Sequence, residues 1–120
     1  MQTFYKLEDW KYFFSKAPEN VNLLIDIVHV LFCNDYDFLK EMVKIKYPKA
    51  LHVADTIKGM IGPKHLHLPI GDGIIDFNLI FNDILKDFDG IIVLEINNTD
   101  KNMIESRNKL IEFLNGKYNK

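Results

Sequence analysis

Apolar and polar positions along this chain fall into blocks whose period changes from one block to the next. Leu7, Trp10, Phe13, Phe14 and Ala17 recur at helical spacing and predict a helix over residues 7–16, ended by Pro18. Residues 21–28 then form a nearly unbroken apolar run, interrupted by Asn22 and Asp26, the pattern of a parallel strand covered on both faces. Residues 34–37 open a second helix whose stripe is Phe38, Leu39, Met42, Val43 and Ile45, with Pro48 closing it. A second strand is predicted over residues 50–54. Residues 55–75 make a long connection rich in glycine and proline, longer than a compact domain usually keeps without a functional reason. Asp76 is placed to cap a third helix carrying Phe77, Ile80, Phe81, Ile84, Leu85 and Phe88, which Asp89-Gly90 ends. Residues 91–96 are the third strand. Asn98 or Thr99 caps the last helix, with Met103, Arg107, Leu110, Ile111 and Leu114 as one face and Gly116 at its end.

The order is α-β-α-β-α-β-α, which calls for an α/β fold with parallel strands and right-handed crossovers. At 120 residues the chain is one domain, 1–120, with no internal repeat or linker.

Alternation of side chains sorts each strand into two faces. Asn22, Leu24 and Asp26 share one face of the first strand; Ala50, His52 and Ala54 share one face of the second. Ile91, Val93 and Glu95 share one face of the third. The opposite faces are wholly aliphatic and suit packing against helices. Each of the mixed faces presents one ligand-type residue near the C-terminal end of its strand: Asp26, His52 and Glu95. Singly, each would read as a polar residue that finds a hydrogen-bond partner at a strand end. Three at matching parity point instead to one shared divalent ion. Mixed N/O ligation suits Mn²⁺, Co²⁺, Zn²⁺, Fe²⁺ or Mg²⁺ without choosing among them.

Other polar residues cluster around this trio. His29 follows Asp26 by three positions and turns toward the same side only if the chain has left the strand there; it is expected to be a substrate contact or an extra ligand, or else a loop histidine. Asp55 follows His52 in the same way, and reads either as a turn starter or as a partner orienting the His52 ring. His67 precedes the Gly71-Asp72-Gly73 turn and is within reach of the site, with His65 the weaker candidate. The turn is no dinucleotide loop, because it follows a loop where that fingerprint follows a strand.

Composition narrows the partners. Net charge is −2 and the basic residues are scattered, poor footing for a phosphate-backbone binder. No apolar run reaches the roughly 18 residues a membrane span needs. The first residues lack the basic-then-apolar layout of a signal peptide, and the lone Cys33 allows neither an internal disulfide nor a cysteine zinc cage. A reducing cytoplasm is the expected location.

Four segments together resemble the C-terminal half of the xylose isomerase-like TIM-barrel superfamily, which holds sugar isomerases and epimerases, inosose dehydratases and endonuclease IV-type apurinic-site endonucleases. Asp26-Ile27-Val28-His29 is similar to the family's Asp-x-x-His at strand six, and His52-Val53-Ala54-Asp55 to its His-x-x-Asp at strand seven. His67-Leu68-Pro69-Ile70-Gly71-Asp72-Gly73 resembles its His-x-x-x-Gly-x-Gly element, and residues 89–95 resemble strand eight with its terminal Glu. The resemblance implies a divalent-metal enzyme in which Asp26, His52 and Glu95 hold the ion. It implies Glu95 and His29 as catalytic residues, and His29 and His67 as substrate contacts. In the isomerase branch Glu95 shares proton transfer with a second Glu on an earlier strand, which is not among these residues. The endonuclease branch carries an Asp where this chain has His65, and basic loops that are missing here, so the sugar branch fits better.

A complete barrel takes about 250 residues and eight strands; this chain shows three. Helices would cover one face of such a sheet, leaving Leu24, Ile91 and Val93 and two strand edges bare. The expectation is that the chain pairs with a copy of itself or docks on a separate chain supplying the first half of the barrel, unless it is a piece of a longer protein. Three functions follow from this reading. The first is a metal-dependent sugar or sugar-phosphate isomerase or epimerase, active with its other half. The second is a non-catalytic remnant or assembly module, and the third an endonuclease IV-like apurinic-site endonuclease.

Overall fold

The computed structural model describes residues 6–57, 67–96 and 100–116. Helix α1 (Leu7–Lys16) leads into strand β1 (Leu24–Asp26), which passes without a loop into helix α2 (Ile27–Cys33). Helix α3 (Tyr36–Ile45) and strand β2 (Ala50–Val53) follow. A short helical turn α4 (Phe77–Leu79) continues as one wider turn (Ile80–Ile84), before strand β3 (Ile91–Leu94) and helix α5 (Asp100–Gly116).

The three strands form one parallel sheet in the order β1-β2-β3, each followed by helical structure. Its register sets Asp26 beside His52 and His52 beside Val93. Alternation holds: Ile25, Leu51 and Val53 are buried on the helix side, while Leu24, Ile91 and Val93 on the other side are exposed by 49%, 69% and 42%. The core lies between the buried sheet face and the helices, with Leu39 and Met42 of α3 and Phe77, Ile80, Phe81, Ile84 and Leu85 from the α4 region. Phe77 also meets Phe113 of α5, ring centroids 5.7 Å apart.

Several boundaries differ from the sequence reading. The apolar run over residues 21–28 is a strand for only three residues, because the Asp26 carboxylate accepts the His29 N–H and starts a helix at once. The next helix begins at Tyr36, capped by Asp35, within the 34–37 start that the sequence predicts. Strands β2 and β3 stop at Val53 and Leu94. Asp76 does cap its helix, accepting the Leu79 N–H, but the helix widens, with the Leu85 N–H donating to the Ile80 carbonyl. That wider turn lets Ile80, Ile84 and Leu85 all face the core. On α5 the buried positions are Ser106 and Leu110, with Met103, Phe113 and Leu114 packed beside them; Ile111 and Arg107 are exposed. The predicted caps Asn98 and Thr99 lie outside the described residues.

Candidate metal centre

Strand β1 ends on Asp26, strand β2 carries His52 at its third position, and Glu95 follows the last residue of β3. All three project from the sheet face that the helices leave uncovered. Each offers one ligand atom, and these atoms all lie within 4.8 Å of one another. They are partly buried, and the Nδ1 of His52 lies 2.8 Å from Oε1 of Glu95. Two carboxylates and one imidazole at this spacing form a donor set that fits a divalent cation of the Mn²⁺, Co²⁺, Zn²⁺ or Mg²⁺ type.

Backbone contacts fix the two carboxylate members. Oδ1 of Asp26 accepts the His29 N–H at 3.0 Å, which sets the carboxylate rotamer and leaves the second oxygen for other work. The Glu95 N–H donates to the Val53 carbonyl at 3.0 Å, extending the ladder by one residue beyond β3 and carrying the side chain toward His52. The Nδ1–H of His67 donates to the Glu95 carbonyl at 2.7 Å. A carbonyl oxygen only accepts, so this contact assigns the proton of His67 to Nδ1.

The remaining sequence candidates fall in different places. His29 lies in the first turn of α2, partly buried, so the chain has left the strand where it stands. It is not one of the three clustered ligands. His67 joins the site through the Glu95 backbone. His65 lies outside the described residues.

Asp55 does not orient the His52 ring. Its carboxylate is 1% exposed and accepts three backbone N–H groups, from Thr56 at 2.9 Å, Gly71 at 2.9 Å and Ile75 at 3.1 Å. Asp55 thus starts a turn through Thr56, and its side chain reaches on to donors 16 and 20 residues downstream. What could have revealed it is the Gly71-Asp72-Gly73 turn itself, since a buried carboxylate needs donors and a glycine turn supplies them. Gly71 has φ +96°, a conformation other residues adopt with strain, and a Cβ on Gly73 would collide with the Asp55 carboxylate and the Thr56 carbonyl. With the Gly71 N–H turned inward to Asp55, the turn is not built as a phosphate cradle.

No helix among the described residues is long and apolar enough to cross a membrane. No curated protein and no solved structure matches this sequence. A family model described as "Xylose isomerase-like TIM barrel" matches residues 1–115. Three parallel strands in sequential order, each followed by helical structure, agree with that match as part of such a barrel, and the chain therefore belongs to the xylose isomerase-like TIM barrel family.

Proposed function

We propose that this chain is a divalent-metal-dependent sugar or sugar-phosphate isomerase or epimerase-like protein, working as one part of a barrel. The observation that carries the reading is the convergence of Asp26, His52 and Glu95, from three neighbouring strands, within 4.8 Å. Those three residues would hold the cation, which when bound supplies Lewis-acid polarisation of a carbonyl or hydroxyl oxygen. Glu95 is the member suited to move a substrate proton, because its carboxylate is partly exposed on the open sheet face, where a substrate beside the cation would lie. His29, in the first turn of α2, and His67, held at the Glu95 backbone, are the substrate contacts of this reading. Inverting a carbon, with a proton taken from one face and returned to the other, calls for a second acid–base group facing Glu95. That group belongs to the strands that complete the barrel.

The same reading assigns the cover of the bare sheet face. Closing an eight-stranded barrel on three strands takes five more, and a second copy supplies three, so the occupant is the first half of the barrel. Leu24, Ile91 and Val93 would then lie in the layered interior.

Calorimetric titration of the purified chain with Mn²⁺, Co²⁺ and Zn²⁺ tests the metal centre. Binding at micromolar concentration is expected, and Asp26→Ala and His52→Ala should each abolish it. An absence of heat for all three ions would end the proposal; unchanged affinity in both variants would move the site elsewhere.

A further inference from the structure

Asp55 lies outside the three clustered ligands, yet its contacts lead to one of them. Its main chain forms a two-way bridge with Leu68, the N–H of each donating to the carbonyl of the other at 2.9 Å. Its carboxylate accepts N–H groups from Gly71 and Ile75, so residues 67–75 are tied at three points to this one residue. Ile74 adds a bond to the Thr56 carbonyl at 2.9 Å. His67, the neighbour of Leu68, is thereby held where its Nδ1–H meets the Glu95 carbonyl. The Glu95 N–H is taken by Val53, so both main-chain polar groups of this residue are gripped, one by β2 and one by the Asp55-organised segment.

We propose that Asp55 is a positioning residue: through the 67–75 segment it holds His67 as the Nδ1–H tautomer and clamps Glu95 in place for the cation. The physical reason is the strength of the anchor. A buried carboxylate with three N–H donors makes charge-assisted bonds roughly twice as strong as neutral ones, and it has no alternative partner. The clamp acts on the backbone of a ligating residue, in the same sense as the outer contacts that orient metal ligands elsewhere. Its consequence for the cation rests on the metal-centre reading; its consequence for His67 does not.

Asp55→Asn keeps the size of the side chain but replaces one acceptor oxygen by an amide that repels a backbone N–H. Two measurements on this variant decide the matter. Nitrogen-15 spectra of the imidazole rings should show His67 as the Nδ1–H tautomer in the native chain, and largely as the Nε2–H tautomer in the variant. Affinity for Mn²⁺ should fall by about 10- to 100-fold, and adding Asp55→Asn to His67→Ala should lower it by less than about 3-fold further, because the two act in series. A folded Asp55→Asn chain that keeps the Nδ1–H tautomer overturns the proposal, as do fully additive losses. Should Asp55→Asn fail to fold, Gly73→Ala presses on the same carboxylate and is expected to give the same tautomer change; an unchanged His67 there also overturns it. If the native chain binds no metal, the metal-centre reading fails alone and the ring spectra still judge the role of Asp55.

Discussion

Glu95 stands two residues past Val93, the register partner of His52, and its Oε1 nevertheless lies 2.8 Å from the Nδ1 of His52. A parallel register puts i and i+2 on one face, so the longer glutamate reaches back over Val93 toward β2. Both side chains are about one-third exposed, and a pair so placed adds little stability, on the order of 0–1 kcal/mol. Its place beside Asp26 therefore argues for a use other than holding the fold.

Glu95→Gln tests that argument. The amide oxygen still accepts from His52, while the negative charge is lost. Chemical denaturation should give a stability within about 1 kcal/mol of the native chain. Affinity for Mn²⁺ should drop by more than the 10- to 100-fold typical of losing an outer contact to a ligand. A large loss of stability with unchanged metal affinity would reverse the assignment.

Asp26 does two jobs that a pair of substitutions separates. As the N-cap of α2 it accepts the His29 N–H, and as a cluster member it presents a charged oxygen. Asp26→Asn keeps the cap, since asparagine caps about as well as aspartate, and should weaken metal binding with little change in melting temperature. Asp26→Ala should lose metal binding as well and cost about 1 kcal/mol for the cap. Equal stability of the two variants would mean that the capping contact contributes nothing.

The placement of these side chains was legible because strand alternation is a strict geometric rule. Once Leu24, Ala50 and Ile91 are put on one face, Asp26 and His52 follow within their strands, and Glu95 follows because its N–H keeps a ladder bond to the Val53 carbonyl one residue past β3. Helix α2 was not legible by the same means. Ile27, Val28, Val30, Leu31 and Phe32 form an apolar run that suits a strand and a buried helix equally, and periodicity does not separate the two. The local signal was Asp26 itself, a helix-capping residue set directly before the run. Asp55 escaped because its partners lie 16 and 20 residues downstream, across the long connection. On α5 the hydrophobic stripe drew attention to Ile111, whereas the small Ser106 sits at the packed face and accepts the Ile70 N–H at 3.0 Å.

Tyr47 predicts how the fold responds to alkali. Burial pushes its phenol above the ordinary value of 10.0; the Asp87 N–H that it accepts works against this, and the carboxylates of Asp87 and Asp89 add to the rise. The folded state thus favours the neutral phenol. The contribution of Tyr47 is complete below pH 10 and is lost as pH climbs through the raised folded value. Urea unfolding at a series of pH values from 9 upward should show stability declining above 10, and Tyr47→Phe should flatten that decline. An identical slope in the variant would assign the decline to other groups.

The bare sheet face gives the last prediction. Leu24, Ile91 and Val93 present apolar side chains to water on one side of a sheet whose β1 and β3 edges are unpaired among the described residues. Burying such a side chain is worth about 1.5–3 kcal/mol, so an isolated chain gains by covering the face with whatever is available, including another copy in makeshift register. Light scattering on the chain alone should therefore give a mass above the 14.1 kDa of one chain, and one that falls on dilution. Val93→Lys places a charge in the centre of the face and should shift the mass to that of a single chain. A segment supplying five barrel strands, as the proposed function requires, should compete with self-association in the native protein and bind the Val93→Lys variant more weakly. A native chain that stays at 14.1 kDa at every concentration, with the same mass in the variant, would show that this face does not seek a cover.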